Sequence, residues 1–188
     1  MKKVFLLIIG VASFATMQAQ TKFGLKAGAN FANITGDDVD DTKMKVGVNV
    51  GAFARFGLGE SWSIQPEVVF STQGAKLDGG KYNLSYVNIP ILAQYHFKGG
   101  FNVEAGPQIG FLTSAKAKAD GGGSEDIKDA FKSTDFSLAF GAAYTTAANI
   151  GFNARYNLGL GNIIDGDAKA HNSVIQVGVF YVLSAGKK

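Results

Sequence analysis

Apolar and polar residues alternate along most of the chain with a period of two. Between Lys22 and Ile34 nearly every second residue is apolar, and the residues between are mainly Lys, Gly and Asn. This period indicates a β-strand, because successive side chains of a strand point to opposite faces, whereas a helix repeats about every 3.6 residues. The same pattern recurs seven more times. It predicts eight strands, at residues 22–34, 44–58, 62–73, 87–97, 101–111, 135–144, 150–160 and 175–183.

Short and long connections alternate between these segments. The short connections span residues 57–61, 98–100 and 146–149, and the long ones span 35–43, 76–83, 116–134 and 161–173. The long connections are rich in Asp, Gly, Lys, Asn and Ser, which are typical of loops. We therefore expect antiparallel hairpins with short turns at one end of the sheet and long loops at the other. In the third loop, SEDIKDAF at 124–131 predicts one short helix.

The first 19 residues are predicted to be a cleaved signal peptide, which leaves residues 20–188 as one barrel domain. Two lysines precede an apolar run of about 12 residues, shorter than the roughly 20 that a membrane-spanning helix needs. Removing Lys2 and Lys3 lowers the net charge from +3 to +1. The mature chain therefore carries no basic excess that would indicate a nucleic-acid partner.

Composition supports a single domain rich in strands. The chain has 188 residues, of which 25 are glycine and 18% are charged, so glycine is enriched and charge is depleted. It contains no cysteine, which excludes disulfides, thiolate zinc sites and cysteine nucleophiles.

The polar face carries few charges, and the two signs are balanced. A face exposed to water would carry many more lysines and glutamates, so we expect this face to line the interior of a barrel. An unpaired buried charge is costly, so salt bridges are predicted among its charged residues. These predicted interior charges are Lys26, Arg55, Glu67, Glu104, Asp135 and Arg155.

The apolar face carries an aromatic residue near the short-turn end of every segment, as an interfacial girdle requires. We therefore predict an eight-stranded antiparallel up-and-down transmembrane β-barrel in the bacterial outer membrane, with both termini periplasmic and the long loops outside. Eight strands enclose too little space for a permanent open pore. The predicted girdle consists of Phe23, Phe56, Trp62, Phe97, Phe101, Tyr144, Phe152 and Tyr181.

Five stretches in order carry a family resemblance: GLKAGANFANITGDD, YVNIPILAQYHF, FNVEAGPQIGFL, EDIKDAFKSTDFSL and NARYNLGLGNI. Over residues 21–183 the chain resembles the PorT-like family of small bacterial outer-membrane β-barrels. The resemblance implies an outer-membrane barrel, and the family's namesake is tied to protein secretion across that membrane. The tail at 184–188 lacks the terminal aromatic residue that many such barrels carry.

The leading functional hypothesis is a structural, adhesion or partner-binding role through the long external loops. Expected partners are outer-membrane lipid, the barrel-assembly machinery during biogenesis, and an extracellular or envelope partner at the loops. We assign no catalytic, cofactor-binding or metal-binding residue. The acidic residues at 37–41 could bind calcium, but Lys43 stands where a calcium loop of the EF-hand type needs glycine, so a solvated loop is expected. Asp165 and Asp167 are interpreted in the same way.

Three alternatives stay open. The first is an accessory role in secretion or transport. The second is an envelope-lipid-modifying enzyme that uses His171 beside Asp165, Asp167 and Ser173, whereas His96 is expected to have a structural role inside the barrel. The third is a soluble lipocalin-like barrel, in which the apolar face would turn inward around a ligand.

Overall fold

The computed structural model describes residues 21–36, 42–165 and 169–183. The predicted signal peptide, the acidic residues at 37–41, Asp167 and the tail at 184–188 lie outside these ranges. Ten strands form one antiparallel sheet: β1 (Lys22–Thr35), β2 (Lys43–Leu58), β3 (Trp62–Gln73), β4 (Ala75–Leu77), β5 (Gly80–His96), β6 (Phe101–Ala119), β7 (Ser124–Asp126), β8 (Thr134–Thr145), β9 (Ile150–Gly159) and β10 (His171–Leu183).

Eight of these strands close into a barrel. β1 pairs with β2 on one side and with β10 on the other, where the register runs from Phe23 opposite Leu183 to Thr35 opposite His171. The short β4 and β7 are additions at the loop end, paired with β2 and β5 and with β6 respectively. Closure leaves no sheet edge unpaired along the barrel wall, which is what a strand-built membrane protein requires. The predicted eight-stranded antiparallel barrel is confirmed.

The outer face of the barrel is apolar and the inner face is polar. On β2, Val48 is 59% exposed, whereas the neighbouring Asn49 is 4% exposed. The glycine-rich, sparsely charged side of each strand therefore points inward, and the continuous apolar side faces lipid. This orientation excludes the soluble lipocalin-like alternative. The described residues contain no helix that is long and apolar enough to cross a membrane.

The prediction of a long loop at 76–83 is wrong. β4 and β5 form a tight hairpin in which Leu77 lies opposite Gly80, so the turn consists of Asp78 and Gly79 alone. Gly79 has a φ of +92°, a conformation that glycine adopts at little cost, and Asp-Gly is a favoured pair in two-residue hairpins. β6 also continues to Ala119, well into the predicted loop at 116–134.

The reason for the error is that the apolar residues of β5 lie on the inner face of the strand beyond the membrane and on its outer face within the membrane. Tyr82, Leu84 and Tyr86 of β5 pack inside the barrel, whereas the polar residues between them point out. Below this level the same strand directs Val87 and Ile89 outward, as predicted. The apolar residues therefore occupy even-numbered positions in the first stretch and odd-numbered positions in the second. A β-bulge at Ser85 and Tyr86 marks the boundary in the β5–β6 pairing.

The predicted helix at 124–131 is also absent. Ser124–Asp126 form β7, and a single 3-10 turn follows at Lys128–Ala130. Ile127 and Phe131 nevertheless both pack against the apolar residues at the loop end. A strand and a turn, in place of a helix, bring these two half-buried side chains to the cluster.

Candidate functional site

Four charged side chains meet at the centre of the barrel. Glu67 on β3 accepts hydrogen bonds from the Lys26 Nζ on β1, at 2.9 Å, and from the two terminal nitrogens of Arg155 on β9, at 2.8 and 2.9 Å. Arg155 Nε donates to Glu104 Oε1 on β6 at 2.9 Å. All four side chains are buried, so each charge depends on these partners for its solvation.

Buried amides complete this network. Gln65 donates to Glu67 Oε1 at 2.8 Å and accepts from Arg55 Nε at 2.8 Å. Gln94 donates to Glu104 Oε2 at 2.8 Å. The carboxylates therefore use their remaining lone pairs on neutral donors, as a fully bonded buried network requires.

The network leaves no room for a channel. Beside it lies a void of about 10 Å³, lined in part by Lys26, Arg55 and Arg155, which holds one water molecule at most. Toward the loop end a second polar layer follows, in which Asn30 donates to Ser71 Oγ at 2.9 Å and accepts from Asn49 Nδ2 at 2.7 Å. At the level of these two layers, the side chains that the structure describes fill the interior.

An apolar plug closes the loop end of the interior. Tyr86 borders the polar layers, because its hydroxyl accepts a hydrogen bond from Asn172 Nδ2 at 3.3 Å, and the same nitrogen donates to Asp135 Oδ2 at 2.9 Å. The plug, as we name this cluster, consists of Ile34, Ala75, Leu84, Tyr86, Leu112, Ala115, Ile163 and Ala170, with Tyr82, Ile127, Phe131 and Ile164 packed against it.

The short-turn end of the interior is open. A cavity of about 700 Å³, here called the vestibule, is lined by Lys22, Arg55, Ser63 and His96 among others. At its floor the Arg55 guanidinium lies 5.5 Å from the centre of the Phe53 ring, within cation–π distance. His96 Nε2 lies 2.7 Å from Ser63 Oγ. The two ends of the barrel therefore differ in both packing and polarity.

The predicted interior charges fall into three groups. Lys26, Glu67, Glu104 and Arg155 form the central network. Arg55 reaches this network only through the Gln65 amide. Asp135 lies toward the loop end, where Asn172 is its hydrogen-bond donor.

Three of the predicted girdle residues, Trp62, Phe97 and Phe101, belong to one row of ring contacts on the outer face. Trp62 and Tyr95 make an edge contact with ring centres 5.0 Å apart, Tyr95 lies 4.9 Å from Phe97, and Phe97 lies 5.7 Å from Phe101. Phe56 is half-buried. The other seven are exposed on the outer face: Phe23, Trp62, Phe97, Phe101, Tyr144, Phe152 and Tyr181.

The groups considered for an enzyme are engaged elsewhere. His171 Nδ1 lies 2.9 Å from the carbonyl oxygen of Gly161, and Ser173 Oγ lies 2.8 Å from the Tyr156 hydroxyl. Asp165 is exposed, and its backbone N–H bonds to Ala130. Among the described residues no three His, Cys, Asp or Glu side chains cluster closely enough to hold a metal ion.

No role was predicted from the sequence for two inward aromatic residues near the short-turn end, Phe53 and Phe180. Their rings contact each other edge-on with centres 5.9 Å apart. A Cβ atom at Gly24 would overlap the Phe53 ring, and one at Gly151 would overlap the Phe180 ring, so these glycines provide the space. The sequence does contain a signal for these residues. Each is an aromatic residue on the otherwise polar face of its strand, and each lies opposite a glycine of the neighbouring strand.

A closed antiparallel barrel with a lipid-facing apolar surface and a polar packed interior defines the class of outer-membrane β-barrel proteins. The family described as "Outer membrane protein beta-barrel domain" matches residues 18–165, and the chain belongs to this family. The protein is accordingly located in the bacterial outer membrane. The narrower PorT-like assignment stays a prediction.

Solved structures show the same fold. Neisserial surface protein A is 14% identical, with a TM-score of 0.61 over 85% of this chain and 96% of that one. Ail, the attachment invasion locus protein of Yersinia pestis, is 15% identical, with a TM-score of 0.53 over 89% of this chain and 100% of that one. No curated protein matches the chain in sequence.

Proposed function

We propose that this protein is a non-conducting outer-membrane barrel whose loop end projects outside the cell as a rigid platform and binds an anionic partner. The observation that supports this proposal most directly is a row of lysines at the loop end. There the long strands β5 and β6 extend beyond the membrane and form a folded projection. In this proposal the aromatic girdle sits at the periplasmic interface, and both termini are periplasmic.

The projection is supported by strand length. A tilted strand crosses the hydrocarbon with about 9–11 residues. β5 has 17 residues and β6 has 19, so both continue well past the membrane. The apolar plug fills the space between the extended strands, which gives the projection its own hydrophobic core. A loop end with a core presents a defined surface, which is what recognition of a partner requires.

Three lysines stand side by side on the projection. Lys76 lies directly opposite Lys81, and Lys81 lies directly opposite Lys118. Like charges in directly opposite positions destabilise a sheet, by a few tenths of a kcal/mol to about 1 kcal/mol per pair. An anionic ligand would relieve this repulsion. By contrast, Lys116 on β6 lies opposite a residue of the other charge, Asp126.

One structural relative suggests a suitable probe. A structure of Ail from Yersinia pestis in complex with the heparin analogue sucrose octasulfate is 16% identical to this chain, with a TM-score of 0.53. At that identity the likeness concerns the fold alone. A sulfated polysaccharide is nevertheless a convenient polyanion with which to test the lysine row.

The test is heparin binding by the full-length protein in nanodiscs, measured by biolayer interferometry at several salt concentrations. We expect binding that weakens with salt, and a loss of about tenfold or more in the Lys76→Glu/Lys81→Glu/Lys118→Glu variant. The control is Lys98→Glu/Lys128→Glu/Lys132→Glu, which makes the same charge change outside the row. No heparin binding, or an equal loss in both variants, would overturn the proposal.

A further inference from the structure

The barrel interior carries more positive than negative charge near the short-turn end. Among the described residues, Lys26, Arg55 and Arg155 face two buried carboxylates, those of Glu67 and Glu104. Both carboxylates bind Arg155, and Glu67 also binds Lys26. Among the described residues, Arg55 makes no salt bridge, and its hydrogen bond runs from Nε to a neutral amide. The terminal nitrogens of Arg55 are therefore left for another acceptor.

Arg55 lies between the central network and the vestibule and lines both. Lys22 stands directly opposite Arg55 in the β1–β2 register, so a second cation is held beside the first. Two like charges at this spacing repel each other unless an anion lies between them. Among the described residues that line the vestibule, one carries a carboxylate, namely Glu60 in the exposed turn after β2.

A third donor is oriented by a chain of hydrogen bonds. Gln94 donates to Glu104, which directs Gln94 Oε1 toward Ser63, and Ser63 donates to that oxygen at 3.1 Å. Ser63 Oγ then accepts from His96 Nε2 at 2.7 Å, because its only proton is already committed. The other ring nitrogen, His96 Nδ1, takes no part in this series of hydrogen bonds. It can donate to an anion when the imidazole is protonated.

We propose that the vestibule binds a phosphate monoester group, with Arg55 as the central donor and Lys22 and His96 beside it. A guanidinium presents paired N–H groups that match phosphate oxygens, and lysine and protonated histidine add charge-assisted hydrogen bonds. The volume of about 700 Å³ admits a substituent larger than the bare ion. The phosphate can belong to a soluble ester or to a lipid headgroup, since the rim of the vestibule includes the girdle residues Trp62 and Phe97.

The experiment follows the Arg55 Nε–H resonance by NMR in the full-length protein, in maltoside micelles and phosphate-free buffer. The chain has two arginines, so the resonance of Arg155, which is saturated by carboxylates, serves as an internal reference. One titration uses glycerol 3-phosphate and the other uses dihexanoyl phosphatidic acid. A saturable shift of Arg55 with the first probe identifies a soluble ester as ligand. A shift with the second probe alone identifies a lipid headgroup.

Variants decide whether the vestibule is responsible. We expect Arg55→Gln to weaken binding about tenfold or more and Lys22→Gln to weaken it about threefold, read from resonances of the vestibule turns. Lys98→Gln removes a charge at the same end but outside the lining, so it should bind like the parent. A folded barrel changes its mobility on a denaturing gel when the sample is heated. If Arg55→Gln lacks this change, the variant is misfolded, and the proposal is then tested by comparing Lys22→Gln with Lys98→Gln. No shift with either probe, or equal weakening in these two lysine variants, would overturn the proposal.

Discussion

The loop end and the short-turn end of the barrel interior are filled in opposite ways. At the loop end, buried side chains such as Leu84 and Ile163 form an apolar plug that reaches the central polar layers. At the short-turn end, cationic side chains line a cavity of about 700 Å³. The central network around Glu67 and Arg155 separates the two. Among the residues that the structure describes, the short-turn end is therefore open to a small molecule, whereas the loop end is suited to contacts on its outer surface.

The largest loss of stability is expected in the central network around Glu67 and Arg155, which forms the partition between the two ends. Glu67→Gln removes the carboxylate that binds both Lys26 and Arg155, so buried Lys26 loses its salt bridge while Arg155 keeps only Glu104. Breaking a buried ion pair costs about 3–5 kcal/mol of unfolding free energy. The measurement is urea-induced unfolding in lipid vesicles. Glu60→Gln, in the exposed turn, is the control and should behave like the parent.

A companion variant sharpens this first prediction. Adding Lys26→Gln to Glu67→Gln removes the buried cation that has lost its carboxylate partner, so part of the lost stability should return. A loss below about 1 kcal/mol in Glu67→Gln would contradict the assignment of the network as the partition.

The second prediction concerns the plug. Leu84 is fully buried, so Leu84→Ala leaves a cavity and should cost about 2–4 kcal/mol. Hydrogen exchange should increase in β4, β7 and the loop-end halves of β5 and β6, while the strand centres stay protected. Val48→Ala on the lipid-facing surface is the control, with little expected change. Uniform loss of protection throughout the barrel would show that the plug is not a separate unit.

The third prediction tests the floor of the vestibule. A methyl group at Gly151 would overlap the Phe180 ring, so Gly151→Ala should cost about 1–3 kcal/mol by overpacking. Gly57 has nothing within 4 Å of an added Cβ, so Gly57→Ala is a matched control at the same end. Unfolding titrations of the two variants give the comparison. Equal stability would mean that Phe180 has room to move and does not hold the floor in place.

The difference between the ends also explains what could be predicted from the sequence. Within the membrane, apolar residues face lipid and mainly polar residues face the interior along every strand. The eight strands and the inward position of Arg155 could therefore be predicted from the alternation of apolar and polar residues. Beyond the membrane, water outside and the plug inside reverse the phase, so Leu84 and Tyr86 were not recognised as interior residues. The partners of each charge depend on register and strand order, which alternation does not encode. It therefore did not separate Arg55, which has an amide partner, from Arg155.

The smallest effect is expected from the Lys43–Asp78 pair, which lies on the surface of the projection. Lys43 Nζ donates to Asp78 Oδ1 at 2.7 Å, and this contact lowers the pKa of the Asp78 carboxyl below its ordinary value. A carboxyl with a lowered pKa in the folded state adds stability above the ordinary pKa of aspartate, and the gain is lost as the pH falls through the lowered value. Because both side chains are exposed, water and salt screen the gain, and the unfolding midpoint at neutral pH should hardly change in Lys43→Gln. The pKa is the sensitive readout: an NMR titration of the Asp78 carboxyl carbon should give a higher pKa in Lys43→Gln than in the parent, and an unchanged pKa would show that the pair does not persist in solution.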